Sequence, residues 1–324
     1  MRLFITGVAG FAGGHLLDHL AELGGYETHG ADHAPLEAHP NADALRAQLE
    51  SYRQLDITSA GAVDSWLAEK KPDALIHLAA QASGADSLEH PVATYHVNAM
   101  GTLHVLDALR RTAPSARVLV TGSADVYGAG PAGGRIREDA PLRPGNPYAG
   151  SKAAQDVIAE IYSATFHLPV IRTRTFSHTG PGQRPRFALA GFADQLARID
   201  AGLAPPEIRV GNLDVTREYG DVRDVVRAYA LLIGRGEAGE AYNVATGHGH
   251  KLRDLLDRLI EISEVEATVV VDPSRVRSRD ADHLVGDPAK LADATGWKPL
   301  RSIDQTLSDL YRDARNRVRA QAKA

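Results

Sequence analysis

Short apolar runs recur through the first half of the 324-residue chain, and most are followed by a stretch with helical apolar spacing. Buried parallel strands have near-continuous hydrophobic sequences, because helices cover both faces of their sheet. The runs that predict strands lie at residues 3–6, 27–31, 74–78, 117–121 and 169–174, with a further short strand before Asp56. This alternation predicts an α/β fold of Rossmann type, with a doubly wound parallel sheet.

After residue 175 the alternation becomes irregular, which predicts a second, smaller region. It contains a predicted helix near residues 191–201 and a short strand at 208–210. We expect residues 1–175 and about 219–246 to form the sheet domain. Residues from about 176 to 218 and from 247 to 324 are expected to form a smaller α+β domain that binds the substrate.

A glycine-rich segment stands between the first predicted strand and the first predicted helix. It has the sequence Gly-Val-Ala-Gly-Phe-Ala-Gly over residues 7–13. Glycines let the backbone turn tightly and approach a pyrophosphate, which then lies at the positive end of the following helix. The spacing differs from the commoner Gly-x-Gly-x-x-Gly, and a tight turn without a ligand is the alternative. We therefore predict an NAD or NADP site whose loop residues are Gly7, Gly10, Phe11, Ala12 and Gly13.

The second predicted strand ends at Asp32, at the distance from the glycines where a dinucleotide site has an acidic residue. A carboxylate there accepts hydrogen bonds from the adenosine ribose and repels a 2′-phosphate. This favours NAD, although neighbouring His33 and Arg46 leave NADP open. Further cofactor contacts are predicted at two turns after strands, namely Asp56 with Ile57 at the adenine edge, and the segment Leu78, Ala79 and Ala80.

Tyr148 and Lys152 lie four residues apart in a predicted helix that begins at Pro147, after a capping Asn146. A helix places the phenol and the ammonium on one face. An adjacent positive charge favours phenolate, so Lys152 is expected to lower the pKa of Tyr148 from its reference of about 10. Such a tyrosine can exchange a proton with a carbonyl or an alcohol. An exposed pair that merely shares a helix face is the alternative.

Composition and charge limit the partners and the location of the protein. A net charge of −5 gives no general reason to expect nucleic acid or an anionic membrane as partner. The chain shows neither a transmembrane-length apolar run nor a signal peptide, so we expect a cytoplasmic protein. The absence of cysteine excludes disulfides and thiolate nucleophiles. His15 and His19 have the spacing of a metal pair without an accompanying glutamate, and no metal site is predicted.

Five features occur in an order that is typical of one enzyme family. They are the glycines of residues 7–13, Asp56, Asn98, Ser123 and the Tyr148-x-x-x-Lys152 pair. On these features the chain resembles the extended short-chain dehydrogenases/reductases, the NAD-dependent epimerase/dehydratase family, over essentially its whole length. The resemblance implies that Ser123 donates a hydrogen bond to a carbonyl and that Tyr148 delivers a proton. It also implies that Tyr148, Lys152 and Asn98 belong to the cofactor site, where Lys152 holds the nicotinamide ribose.

The C-terminal half resembles the branch of that family that acts on GDP-linked deoxyhexoses. The likeness is carried by residues 173–183, 210–213, 217, 221–225 and 296–299. Within the branch, the chain resembles first the GDP-6-deoxy-4-keto-D-mannose reductases that form GDP-D-rhamnose, and second the GDP-mannose 4,6-dehydratases. The resemblance implies a nucleotide-sugar substrate whose diphosphate is bound by arginines, since a guanidinium group can bind two phosphate oxygens. The implied substrate-binding residues are Ser177, His178, Arg217, Arg277 and Asp280, with Ser177 standing where the related enzymes have Asn.

One segment distinguishes the reductases from the dehydratases. Dehydratases of this branch carry a glutamate that removes a proton from C5, whereas this chain has Ser123, Ala124 and Asp125. Ala124 can neither donate nor accept a proton, and the side chain of Asp125 is one methylene shorter than glutamate, which matters for the reach of a base. Elimination is therefore disfavoured. Asp125 stays a candidate catalytic residue, although the reductase subgroup also usually has glutamate there.

We expect a nucleotide-sugar 4-ketoreductase that transfers hydride from NAD(P)H to the C4 carbonyl of a GDP-4-keto-6-deoxyhexose. The alternatives are a 4,6-dehydratase or 4-epimerase on the same scaffold, and a non-catalytic nucleotide-binding member, which the presence of both Tyr148 and Lys152 disfavours. The base of the nucleotide stays open among GDP, UDP and dTDP. The resemblance also implies a homodimer through the helices near residues 92–111 and 148–167, whose outer faces carry Val97, Leu103, Leu106, Ile158 and Ile161. Packing of the same residues on the sheet of their own chain is the alternative.

Overall fold

A computed structural model describes residues 1–39, 41–129, 134–275 and 283–322. Its largest sheet has seven strands: β1 (Arg2–Thr6), β2 (Glu27–Asp32), β3 (Ser51–Gln54), β4 (Ala74–His77), β5 (Arg117–Ser123), β6 (Val170–Thr175) and β11 (Ala241–Val244). Their spatial order is 3-2-1-4-5-6-11, and every neighbouring pair is parallel. This is the doubly wound Rossmann order with one strand added, which confirms the predicted fold class.

Helices cover both faces of this sheet. The described helices are α1 (Phe11–Leu23), α2 (Ala42–Gln48), α3 (Ala60–Lys70), α4 (Gly84–Glu89), α5 (Pro91–Tyr95), α6 (Gly101–Thr112), α7 (Pro147–Phe166), α8 (Ala188–Asp200), α9 (Val222–Arg235), α10 (Leu252–Ser263), α11 (Ala289–Thr295) and α12 (Ile303–Gln321). Leu3 and Ile5 of β1 pack into the core beside α1 and α9, while Phe4 packs into the core beside α3 and α6. Because successive strand side chains alternate, one apolar run contributes to two cores.

The remaining strands are short and lie mostly in the C-terminal half. They are β7 (His178–Thr179), β8 (Glu207–Val210), β9 (Thr216–Glu218), β10 (Gly220–Asp221), β12 (Gly249–Lys251), β13 (Thr268–Val271) and β14 (His283–Leu284). A separate apolar core joins α8, α10 and α12 with β8. The division of the chain into two domains near residues 175, 219 and 246 stays a prediction. In the described part of the chain, no helix has the length and apolar character that crossing a membrane requires.

The sequence of residues 33–50, rich in Ala, His and Pro, predicts a surface connection. The described part of this segment also contains a short 3₁₀-helix (Leu36–Ala38) and α2, because Leu36 and Leu45 are buried beside α1. The loop at residues 129–146 holds many Gly and Pro residues and has no helical period, which predicts a flap near the site; this stays a prediction. Residues 130–133 lie outside the described residues, but Ile136 is held by backbone hydrogen bonds to Val285 and Asp287, both 2.8 Å long. The described part of this loop is therefore fixed against the segment after β14.

A buried ion-pair network fastens α7 to β6. Asp156 on α7 accepts hydrogen bonds from Arg172 at 2.9 Å and from Arg174 at 3.0 Å. Arg174 also donates to the hydroxyl of Tyr127 and to the carbonyl oxygen of Glu138. Exposed Glu160 also pairs with Arg172, at 2.8 Å. Because Asp156 is the buried carboxylate shared by both guanidinium groups, its removal leaves charge that solvent cannot reach.

Replacement of Asp156 by Asn should therefore lower the free energy of unfolding by about 3 kcal/mol, measured by urea denaturation. The matched control is Asp64→Asn, since Asp64 pairs with Arg111 at 2.6 Å on the surface. There the loss should stay below about 1 kcal/mol, because solvent screens exposed pairs. Equal losses in the two variants would contradict the assigned role of Asp156.

Candidate active site

The glycine loop connects β1 to α1 through a backbone conformation and close contacts that do not tolerate a side chain. Gly7 has a φ of +71°, in the left-handed region, and a Cβ there would lie 2.7 Å from the backbone nitrogen of Ala79. A Cβ on Gly13 would collide with the carbonyl oxygen of Val8. Gly10 caps α1, and Phe11 and Ala12 are its first residues. The loop thus brings bare backbone and a helix N-terminus together, which fits the pyrophosphate of a dinucleotide.

Asp32 is buried at the carboxyl end of β2, beside this loop. One carboxylate oxygen accepts from the backbone N–H of Ala9 at 3.2 Å, and the other accepts from both the backbone and the ring nitrogen of His33 at 2.8 Å. A carboxylate offers about four acceptor positions, so one remains for a ribose hydroxyl. Arg46, the cation that left NADP open, is paired with Glu37 and Asp43.

The other predicted cofactor contacts lie at turns after neighbouring strands. Asp56 follows β3 and accepts two hydrogen bonds from Thr58, which lower the pKa of its carboxyl group. Ile57 is buried, whereas Leu78, Ala79 and Ala80 are partly exposed after β4. All of these turns stand at the carboxyl edge of the sheet, where ligands bind in such folds.

Asn98 lies in a π-helical turn (His96–Met100) that separates α5 from α6 and interrupts the stretch expected as one helix. Its Oδ1 accepts from the backbone of Gln81 at 2.8 Å, while its Nδ2 donates to the carbonyl oxygen of Gln81 and to Ser151 Oγ. The side chain is fully buried. Asn98 therefore ties the loop after β4 to α7, and its geometry is that of a residue that supports the site.

Ser123 and Tyr148 meet at the carboxyl end of β5. Ser123 is the last residue of β5 and caps a short 3₁₀-helix (Ala124–Tyr127), with its Oγ accepting from the backbone N–H of Asp125. Tyr148 stands in the first turn of α7, which Asn146 caps and Pro147 begins, as predicted. The hydroxyl of Ser123 lies close enough to the phenol of Tyr148 to act on its pKa. The two groups expected to act on a carbonyl are thus neighbours.

The predicted direction of the Tyr148 pKa shift is wrong. Burial raises the pKa of Tyr148, and the negative charge of Asp125 and the phenol of Tyr229 raise it further, against a smaller lowering by Ser123. Desolvation disfavours the charged phenolate more than nearby groups favour it. Tyr148 is therefore a neutral phenol, a proton donor, at neutral pH.

Lys152 is buried one turn after Tyr148 on α7. Its ammonium donates to the carbonyl oxygen of Thr121 on β5 at 3.0 Å and to Gln155 Oε1 at 2.8 Å. Burial lowers the pKa of Lys152 to about 7. This explains why its charge does not dominate at Tyr148. Among the described residues these two oxygens are its hydrogen-bond acceptors, so one of three N–H donors is available to a ligand.

Three of the five predicted substrate-binding residues lie in the described part of the chain. His178 begins β7, which pairs with β10, and its Nδ1 contacts the carbonyl oxygen of Phe176 at 3.1 Å. Ser177 precedes it, and its carbonyl oxygen accepts from the backbone of Gly220. Arg217 lies half-buried on β9. Arg277 and Asp280 lie outside the described residues.

Aromatic contacts bring the glycine loop and the substrate segment together. The ring of Phe11 stacks on the ring of His178, with centroids 6.0 Å apart and planes 5° from parallel. His15 packs edge-on against Phe11, and its Nε2 contacts the carbonyl oxygen of Pro181 at 2.9 Å. The predicted cofactor and substrate regions are therefore adjacent.

Several residues around Tyr148 and Lys152 were not predicted from the sequence. Gln155 and Thr121 bind the ammonium, and Tyr229 on α9 raises the pKa of Tyr148. Gln155 carried a usable signal, because residues three apart on a helix are neighbours. Thr121 acts through its carbonyl oxygen and Tyr229 is distant in sequence, so neither carried one.

Comparison with known proteins identifies the family. Residues 4–310 match the family model described as GDP-mannose 4,6 dehydratase. The chain is 39% identical over 319 residues to GDP-6-deoxy-D-mannose reductase of Pseudomonas aeruginosa, with 98% of both chains covered. It is 31% identical to GDP-mannose 4,6 dehydratase 2 of Arabidopsis thaliana, with 94% of this chain and 84% of that protein covered.

Solved structures agree with this assignment. RMD from Pseudomonas aeruginosa complexed with NADPH matches with a TM-score of 0.85 and 36% identity, covering 98% of this chain and 99% of that one. UDP-glucose 4-epimerase of Thermus thermophilus in complex with NAD matches with a TM-score of 0.85 and 30% identity, covering 97% and 99%. The chain belongs to the GDP-mannose 4,6 dehydratase family, within the NAD(P)-dependent extended short-chain dehydrogenases/reductases.

Proposed function

We propose that this protein is a nucleotide-sugar 4-ketoreductase that reduces a GDP-4-keto-6-deoxyhexose to a GDP-D-rhamnose-type product. The observation that carries the proposal is the proximity of the Ser123 hydroxyl to the Tyr148 phenol, with Ala124 buried next to Ser123. This arrangement offers a hydrogen-bond donor and a proton donor to one carbonyl oxygen. The position next to Ser123 offers no acid or base for an elimination.

Reduction requires a hydride at C4 and a proton on the developing alkoxide. In the proposed mechanism Ser123 donates a hydrogen bond to the C4 carbonyl oxygen, and Tyr148 transfers its phenolic proton to that oxygen. The raised pKa of Tyr148 supports this direction, since a phenol can donate a proton and only a phenolate can remove one. An enzyme that began by oxidising a C4 alcohol would need the phenolate.

The residues described above fit a nicotinamide dinucleotide, which supplies the hydride when bound. We assign its pyrophosphate to the loop from Gly7 to Gly13 and its adenosine to the turns that hold Asp32 and Asp56. Lys152 is assigned to the nicotinamide ribose through its third N–H donor. Ala79 and Ala80 border the same groove, where small side chains allow close passage.

The nucleotide sugar is assigned to the segment beyond β6. Arg217 is assigned to the diphosphate, because a guanidinium group can bind two phosphate oxygens at once. His178 and Ser177 are assigned to the sugar side, next to Phe11 of the cofactor loop. Arg277 and Asp280 complete the proposed set on the family resemblance alone. A GDP base is supported by the matches to GDP-sugar enzymes.

A 4,6-dehydratase is the second candidate, and one observation favours it. Asp125 lies near enough to Tyr148 for its charge to raise the tyrosine pKa, so a carboxylate is present in the site. If its shorter side chain still reaches C5, elimination becomes possible.

An assay with two substrates separates these functions. With GDP-4-keto-6-deoxymannose and NADH or NADPH, we expect oxidation of the cofactor and a GDP-deoxyhexose product. The oxidation is measured as the loss of absorbance of the reduced cofactor. With GDP-mannose and no reduced cofactor, we expect no 4-keto product. Formation of a 4-keto sugar in the second assay would contradict the reductase assignment.

The role of Tyr148 is tested by Tyr148→Phe, which keeps the ring and removes the proton donor. Its turnover should fall by about two orders of magnitude or more, with cofactor binding retained. Near wild-type reduction by this variant would exclude Tyr148 as the donor.

We further propose that NADH is preferred over NADPH. Two features support this: Asp32 offers a carboxylate at the end of β2, beside the glycine loop, and Arg46 is already paired with two carboxylates. The NADPH and NAD complexes of the matched structures show that related proteins bind either cofactor.

Asp32→Asn tests this preference, because it keeps an acceptor for the N–H of Ala9 and removes the charge. The ratio of kcat/KM for NADPH to that for NADH should rise about tenfold, since a like charge next to the phosphate is lost. A wild-type enzyme that prefers NADPH, or an unchanged ratio in the variant, would refute the assignment.

A homodimer through α5, α6 and α7 is also proposed. Of the residues expected at this surface, Leu106 is buried in the core of its own chain, and Val97, Leu103 and Ile158 pack against that core. Ile161 is exposed as expected. The other exposed apolar side chains on these helices and on the π-helical turn between them are Val92, Tyr95, Met100 and Val157. An apolar surface on adjacent helices is typical of an interface.

Ile161→Asp should convert the dimer to a monomer, measured by light scattering at micromolar protein concentration. Leu203→Asp is the control, because Leu203 is similarly exposed after α8. A monomeric wild-type protein, or a dimer that survives Ile161→Asp, would contradict this interface. The expected cytoplasmic location stays a prediction.

A further inference from the structure

A continuous chain of buried polar side chains leads away from Lys152, and the proposed mechanism does not use it. Its members are Gln155 on α7, Thr102 on α6, His77 at the end of β4 and Thr6 at the end of β1. Each of these four residues is at most 1% exposed. Buried polar groups need partners, so the pattern of donors and acceptors along this chain can be derived.

The Lys152 end fixes the first links. The ammonium form of Lys152 only donates, so Gln155 Oε1 is the atom that faces it, at 2.8 Å. The amide nitrogen of Gln155 must then point away, and it donates to Thr102 Oγ1 at 2.9 Å. Thr102 has one hydroxyl proton, which it donates to the carbonyl oxygen of Asn98 at 2.7 Å.

These links determine the tautomer of His77. Because the proton of Thr102 is already used, Thr102 Oγ1 accepts from His77 Nε2 at 3.0 Å. Burial lowers the pKa of His77 to about 3, so its ring is neutral and Nδ1 carries no proton. Nδ1 therefore accepts from the hydroxyl of Thr6 at 2.7 Å, and Thr6 in turn accepts from the backbone N–H of Ala79 at 3.3 Å. Each proton in the chain has one allowed position.

The chain joins two parts of the proposed cofactor groove. One end is Lys152, assigned to the nicotinamide ribose, and the other is Ala79, which borders Gly7 of the glycine loop. We propose that Gln155, Thr102 and His77 are positioning residues that hold the ammonium of Lys152 in its working orientation. The catalytic value of this role rests on the proposed function, whereas the effect on Lys152 does not.

Loss of the Thr102 hydroxyl would break the chain at its centre. The N–H groups of Gln155 and His77 that point at Thr102 would both lose their acceptor, and the Gln155 amide would no longer be held with its oxygen towards Lys152. A hydrogen bond to the charged form favours that form, so its loss disfavours the ammonium. The titratable groups around Lys152 are His77 on β4 and Tyr148 on α7, with Asp125 and Tyr229 facing Tyr148 and Asp156 held by arginines.

The experiment titrates Lys152 directly by NMR in protein labelled with ¹³C at the lysine ε-carbon, with Lys152→Met used to assign its signal. Thr102→Val should lower the pKa of Lys152 by about one unit, and Thr102→Ser should restore it. Thr94→Val is the matched control, because Thr94 is equally buried and donates to the carbonyl oxygen four residues earlier, as Thr102 does. Gln155→Glu keeps the length of the side chain and places a negative charge beside the ammonium. It should therefore raise the pKa of Lys152.

The pH profile of kcat for reduction provides a second readout. Its alkaline limb should move to lower pH in Thr102→Val by the same amount and stay in place in Thr94→Val. A Lys152 titration unchanged by both Thr102→Val and Gln155→Glu, or shifted equally by Thr94→Val, would overturn the positioning role. Shifts in the Lys152 titration without any ketoreduction would support the positioning role and refute the proposed reaction instead.

Discussion

The burial of Lys152 where α7 crosses the end of β5 is the constraint on which the site depends. It fixes the start of α7, so that Tyr148 meets Ser123 at the edge of the sheet. It also weakens the charge of the lysine, since desolvation lowers its pKa to about 7. The same dry surroundings keep Tyr148 protonated, which suits a residue that delivers a proton.

The α/β scaffold brings the other groups to this edge through backbone geometry. The turns after β1, β2, β4 and β5 share one side of the sheet because all its strands are parallel. The glycines at 7 and 13 permit close contact with Ala79 and Val8. The Asp156 network, one turn after Lys152, holds the middle of α7 on β6. The proposed catalytic residues and the carboxylate that stabilises the fold therefore lie on the same helix.

Much of this arrangement could be predicted from the sequence, since strand runs, glycine spacing and the Asn146–Pro147 cap each act through local geometry. The features that were predicted wrongly or not at all depend on burial by residues distant in sequence. The sign of the Tyr148 pKa shift depends on desolvation and on Asp125 and Tyr229, which the helix pattern does not show. The helix at Ala42–Gln48 is stabilised by the burial of Leu45 in the core beside α1. The polar chain from Gln155 to Thr6 joins four separate elements, so no single motif reveals it.

In the proposed reaction, external hydride reaches C4 of the sugar and Tyr148 protonates its oxygen. This can be tested with reduced cofactor that carries deuterium at the transferable position of its nicotinamide, incubated with a GDP-4-keto-6-deoxyhexose. Deuterium should appear at C4 of the product, with one cofactor oxidised for each sugar reduced. A product without deuterium, formed with no net oxidation of the cofactor, would contradict it.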